Sequence, residues 1–119
     1  MLNNIDKGKK GELLAKEYLV SKGYSILDTN YKNKIGEIDI IALDKGILVF
    51  VEVKTRTNTN FGYPYEAVNK KKQDKILKCS YSYIKYNQLI NYQLRYDIIE
   101  VFLTPNIKIN HIINSFCWN

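Results

Sequence analysis

Cysteine, histidine and arginine are all scarce in this 119-residue chain, which has two cysteines, one histidine and two arginines. Cys79 and Cys117 lie far apart, match no zinc-ligand spacing and make no disulfide framework. A reducing, cytoplasmic setting is the expectation that follows. No apolar run approaches the roughly 18 residues of a bilayer span. The stretch from Met1 to Lys7 has no apolar signal core, so no membrane partner is expected. Internal repeats, low-complexity tracts and linker-like segments are missing too. What remains is a single domain over residues 1–119, at 13.9 kDa large enough for a real core and too small for two.

Positive charge is plentiful, at a net +6 and a sequence pI of about 9.2, but sixteen of the eighteen cationic residues are lysines. That balance suits a polyanionic partner. An AT-biased coding sequence would yield the same abundance of Lys, Asn, Ile and Tyr, so charge serves here as support only.

Hydrophobic spacing predicts a helix from about 6 to 22, with Leu13, Leu14, Ala15, Tyr18 and Leu19 facing inward and Gly23 closing it. A first strand is expected at Tyr24 to Tyr31, and two more at about 36–43 and 47–55. Thr55 to Pro64 reads as a loop. A second helix is expected from about 65 to 86, with Pro64 and Glu66 at its start and Ala67, Val68, Ile76, Leu77, Tyr81 and Ile84 inward. Strands at Leu94 to Leu103 and Ile107 to Ile113 complete the chain. The central strands are apolar on both faces, with Ile38, Ile40, Val49 and Val51 on one side and Ile41, Leu43, Leu48 and Phe50 on the other. A sheet buried on both sides needs helices on both sides. The fold class is therefore α/β: an α-β-β-β-α-β sandwich with a mixed sheet flanked by helices.

Two stretches carry the chemistry: Gly36-Glu37-Ile38-Asp39 and Val51-Glu52-Val53-Lys54. Asp44-Lys45-Gly46 supplies a turn between them, which makes a hairpin. A two-residue loop at Lys45-Gly46 or a four-residue loop from Asp44 to Ile47 sets Asp39 opposite Glu52 and Glu37 opposite Lys54. All four then share one face at one end. A three-residue loop would scatter them and set charges against valines.

Two carboxylates directly across a ladder stand roughly 4.5–5.5 Å apart at Cβ and destabilise it. Their repulsion is about 1 kcal/mol in water and up to about 4 kcal/mol at an intermediate dielectric. A cation between them removes that cost; solvated strand ends neutralised by Lys54 are the plainer alternative. Magnesium and manganese take one or two carboxylates, with water and phosphate oxygens completing the shell. A lysine two residues beyond the glutamate projects from the same face, where it can orient water and offset charge developing on phosphorus.

Asp39 followed by Glu52-Val53-Lys54 resembles the D…(D/E)-x-K signature of the restriction-endonuclease-like superfamily. Gly8-Lys9-Lys10-Gly11-Glu12, Gly36-Glu37-Ile38-Asp39-Ile40-Ile41-Ala42, Phe50-Val51-Glu52-Val53-Lys54-Thr55-Arg56 and Gly62-Tyr63-Pro64-Tyr65-Glu66-Ala67-Val68 together resemble the YraN family. These are small bacterial proteins similar to archaeal Holliday-junction resolvases. The likeness covers nearly the whole chain, including Arg95-Tyr96-Asp97 and the closing His111 to Phe116.

The resemblance implies a restriction-endonuclease-like domain that hydrolyses nucleic-acid phosphodiesters with Mg²⁺ or Mn²⁺. Structured or branched DNA is the implied substrate, cut by a two-fold homodimer. It implies Asp39 and Glu52 as metal ligands with the main-chain carbonyl of Val53, Lys54 as the catalytic lysine and Glu12 as a further catalytic carboxylate. Glu37 is implied as an outer ligand or a partner of Lys54. The family's Pro-Asp dipeptide is Ile38-Asp39 here, a change at a residue that is not a ligand.

Lys70, Lys71, Lys72, Lys75 and Lys78 form a cationic stretch which, with Lys9, Lys10, Lys32, Lys34 and Arg56, is suited to phosphate contacts. A solvated helix face accounts for it equally well. Gln73 could contact substrate, as similar glutamines do in related nucleases, but a surface role is the favoured reading. His111, Cys79 and the tyrosines are expected to be structural. A nucleic-acid-binding accessory protein with little or no cleavage is the alternative function, and a structural role for the acids a third.

Overall fold

The computed structural model describes residues 3–57 and 68–118. Helix α1 (Asn4–Ser21) begins where the Asn3 side chain accepts the Asp6 N–H at 2.8 Å. It ends ahead of Gly23, whose φ of +92° only glycine adopts freely. Gly11, Ala15 and Leu19 form its buried stripe. Leu13, expected inward, is instead 56% exposed, because residues two apart on a helix face opposite ways.

Strands β1 (Ser25–Lys32), β2 (Glu37–Asp44), β3 (Ile47–Arg56), β4 (Gln93–Phe102) and β5 (Lys108–Phe116) form one sheet in that order. Neighbours run antiparallel except β3 and β4, which are parallel and joined through helix α2 (Lys70–Tyr86). The β2–β3 hairpin turns at Lys45-Gly46, both with positive φ, and pairs Asp44 with Ile47 and Ile40 with Val51. That is the register expected from a two-residue loop.

α2 starts later than expected. Asn69 is extended and caps the helix by accepting the Lys72 N–H at 2.9 Å, so Val68 is buried but not helical. Pro64, Glu66 and the expected helical positions 65–67 lie outside the described residues. Tyr81, expected inward, is 63% exposed; Tyr83 takes the inward position and packs edge-on against Tyr31 and Phe50. Tyr86 is exposed as well, while Cys79 is fully buried as expected.

The helices lie on opposite faces of the sheet. α1 covers Ile40, Ala42, Val49, Val51, Val53 and Ile99. α2 covers Ile38, Ile41, Leu48, Phe50, Tyr96 and Ile98. Ile38 and Ile40 therefore sit on opposite sides, against the expectation that they share one. Strict alternation would keep them together, so β2 changes face at Asp39. The β2–β3 ladder also stops at the Ile40–Val51 pair. Across on β1, Asn30 takes a left-handed φ of +54°.

β4 carries a polar core of its own. Asp97, fully buried, accepts from Arg95 Nε at 3.0 Å, His111 Nε2 at 2.7 Å and the Asn114 N–H at 2.9 Å. Arg95 reaches on to Asp44 at 3.1 Å and Tyr24 Oη at 2.7 Å, and His111 Nδ1 meets Tyr18 Oη at 3.3 Å. Burial alone would raise the Asp97 carboxyl, but bonds from His111, Arg95 and Asn114 outweigh it and hold it below its ordinary value. This network pins α1 to β2, β4 and β5, which accords with the structural role expected of His111.

Candidate active site

The face change at Asp39 creates the site. Continuing the hairpin register would set Ile38 opposite Val53, but the Val53 N–H donates instead to Asp39 Oδ2 at 2.8 Å. The Asp39 carboxylate thus replaces a ladder carbonyl and is held at the splayed end of the hairpin. The N–H and C=O of one strand residue point to the same side, so the Val53 carbonyl faces Asp39 as well.

Glu52 meets Asp39 there. Its side chain is 6% exposed, and its carboxyl is pushed up to about 9 by burial first, then by its hydrogen bond to Asp39 and that residue's charge. Lys72 on the first turn of α2 partly counters this, with Nζ 3.4 Å from Glu52 Oε1. Asp39, Glu52 and Lys72 thus converge at the splayed end of the hairpin.

Among the described residues, three cavities open at Asp39. One of about 310 Å³ lies between the start of α1 and the end of β3, and its lining includes Gly8, Glu12, Glu52, Val53, Lys54 and Lys72. A second, about 190 Å³, lies on the α2 side beside Glu37, Glu52, Lys72 and Lys75. The third, about 300 Å³, lies between α1 and β1 beside Lys9, Glu12, Lys16 and Asn30. Glu12 therefore does reach the site. Burial, then the charges of Asp39 and Glu37, raise its carboxyl, and a hydrogen bond with Asn30 works against them.

Gly11 permits this approach: a Cβ there would lie 1.9 Å from Thr55 Oγ1, so α1 rests directly on β3. Gly8, one turn earlier, has open space around it.

The other expected residues divide. Asp39, Glu52, Val53, Lys54 and Glu12 share one cavity. Glu37 is exposed on the α2 side and, among the described residues, makes no ion pair with Lys54. Lys9 lines a cavity, while Lys10 and Lys71 are exposed. Lys70 pairs with Asp74 at 3.3 Å. Arg56 donates from Nε to buried Glu100 at 2.6 Å, a partner that no spacing suggested. Gln73 Nε2 donates to the Val68 carbonyl at 2.9 Å and so ties the chain entering α2 to the helix.

The pairing of Lys72 with Glu52 was missed in sequence, where nothing separates Lys72 from its lysine neighbours. The buried Arg95–Asp97 pair had a signal: two residues apart on a strand, both share a face.

Two converging carboxyls with a backbone carbonyl beside them fit a hard dication such as Mg²⁺. Among the described residues no group of three or more His, Cys, Asp or Glu forms a complete cage. The remaining coordination positions would fall to water and substrate oxygens.

The model of Uncharacterised protein family UPF0102 matches residues 11–101. A UPF0102 protein of Caldanaerobacter subterraneus subsp. tengcongensis is 53% identical over 119 residues, covering 97% of this chain and 98% of its own. One from Clostridioides difficile is 51% identical over 115 residues, covering 97% and 100%. One from Clostridium beijerinckii is 50% identical over 119 residues, covering 98% and 97%.

Proposed function

The chain belongs to the uncharacterised family UPF0102, the YraN family indicated by its motifs, and from that premise we propose that it is a metal-dependent nuclease. Its substrate is nucleic acid, with structured or branched DNA favoured by the likeness to junction resolvases. The observation that carries this reading is the convergence of Asp39 and Glu52 at the splayed hairpin end, with Lys54 on the same cavity.

Asp39, Glu52 and the Val53 carbonyl would hold Mg²⁺ or Mn²⁺, which would supply Lewis acidity toward a phosphate oxygen. Lys54 orients the attacking water and offsets negative charge developing on the phosphorus. Glu12, with its raised carboxyl, takes up a proton from water more readily than an ordinary glutamate. Lys9 and Lys71 lie outside this centre and give sequence-independent phosphate contacts. Paired cuts in a branched substrate need two such centres, hence a two-fold dimer.

A second reading, a binding protein with little or no cleavage, is favoured by the absence of a third ligating side chain among the described residues. End-labelled linear, flapped and four-way DNA incubated with Mg²⁺, Mn²⁺, Ca²⁺ or EDTA separates the two. The nuclease reading expects products with Mg²⁺ or Mn²⁺ that vanish in Asp39→Ala and Lys54→Ala. Retained DNA affinity with no product on any substrate overturns it in favour of the binder.

A further inference from the structure

Lys72 stands at this centre without a part in the hydrolysis proposed above. Its ammonium lies 3.4 Å from Glu52 Oε1, and its side chain is 44% exposed against 6% for Glu52. It lines both the cavity shared with Lys54 and the one shared with Glu37 and Lys75, so it stands where the two join. Its position is built in: the Asn69 cap accepts the Lys72 N–H and fixes the first turn of α2, and Ile76, one turn on, is buried. Lysine is a compact point charge on a flexible four-carbon stem, able to leave one anion for another nearby without moving the helix.

We propose that Lys72 is an intrinsic counter-ion of Glu52 that competes with the divalent cation and is handed over to a substrate phosphate when that cation binds. This role rests on the metal-site reading above and adds regulation to it. A cation already at the ligand carboxylate opposes a dication arriving there, since like charges a few ångströms apart repel strongly where water is partly excluded. Once displaced, Lys72 joins exposed Lys71 and Lys75 on the outer surface of α2 and meets the strand lying over the site. Metal binding and polyanion binding then favour one another through a single side chain, and such coupling is reciprocal. Without nucleic acid, the lysine keeps the ion weakly held.

The test is Mn²⁺ titration of the full chain without nucleic acid, with free ion read by electron paramagnetic resonance. Lys72→Gln is expected to bind Mn²⁺ about fivefold tighter or more. Lys72→Arg, which keeps the charge, should stay near the wild-type affinity. Lys85→Gln makes the same charge change in the last turn of the same helix and should alter affinity less than about twofold, being screened by salt. A lysine that merely braced the fold would give the opposite sign, with weaker binding on its removal. Unchanged or weaker binding in Lys72→Gln overturns the competition, as does equal tightening in Lys85→Gln. Failure of the wild type and every variant to bind Mn²⁺ overturns the metal site itself, and the competition with it.

Discussion

Replacing Glu52 with glutamine removes the raised carboxyl while keeping the shape of the side chain. In the folded protein Glu52 keeps its proton up to about pH 9, whereas the unfolded chain releases it near its ordinary value of 4.5. Between those values the folded state holds one more proton than the unfolded state. The associated stability is therefore complete below about 4.5 and declines as pH rises through the window, by up to about 1.4 kcal/mol per pH unit. From about pH 6 to about pH 8 the wild type should lose on the order of 2–3 kcal/mol from this group, out of a typical total of roughly 5–15 kcal/mol. Glu52→Gln should lack that component. Urea unfolding of both proteins in EDTA at the two pH values measures the difference in slope. Adding Mg²⁺ at about 100 times its dissociation constant should restore about 2.7 kcal/mol to the wild type at the higher pH and much less to the variant. Parallel pH dependences in EDTA would refute the idea that burial and the neighbouring Asp39 raise the Glu52 carboxyl in the folded protein.

Asp97→Asn leaves Arg95 and His111 facing a neutral buried amide and should cost about 3–5 kcal/mol near neutral pH, measured by urea unfolding. Because the Asp97 carboxyl is lowered from 3.8 in the folded state, its stabilisation is complete above that value and fades as pH falls below it. The gap between wild type and variant should therefore narrow in acid. Gly11→Ala forces a methyl to 1.9 Å from Thr55 Oγ1 and should destabilise by about 1–3 kcal/mol. Adding Thr55→Ala should recover part of that, since the 2.9 Å contact with Thr55 Cβ remains. Lys54→Met should lower cleavage by at least about 100-fold while the salt dependence of DNA binding loses no more than about one phosphate contact. An equal loss of binding and cleavage would make Lys54 a binding residue only.

Much of the sheet was legible because its rules are local. Lys45-Gly46 can form the tight turn, and alternation then dictates which residues of β2 and β3 face each other. The same logic brought Asp39, Glu52 and Lys54 to one end before any tertiary contact was known. It failed one residue further on. Alternation assigned Ile38 to the side of Ile40, whereas Ile38 packs under α2 and Ile40 under α1. A strand changes face when the two helices ask for different residues, and neither helix's docking position is written in the spacing of β2.

Helix faces were misjudged at Leu13 and Tyr81 for a related reason: both are apolar, and composition alone does not say which side of the stripe they border. Buried ion pairs were harder still, because Arg56 and Glu100 lie 44 positions apart and meet only through the parallel β3–β4 pairing.

By itself the sequence determined the family, the order of elements, the hairpin register and a pair of acids followed by a lysine, all of which depend on neighbours within a few residues. Tertiary structure alone decided that β2 peels away at Asp39, that Gly11 lets α1 rest on Thr55, and that the first turn of α2 delivers Lys72 to Glu52. Those features depend on how two helices dock on opposite faces of one sheet, a geometry set by summed packing that no short stretch of chain encodes.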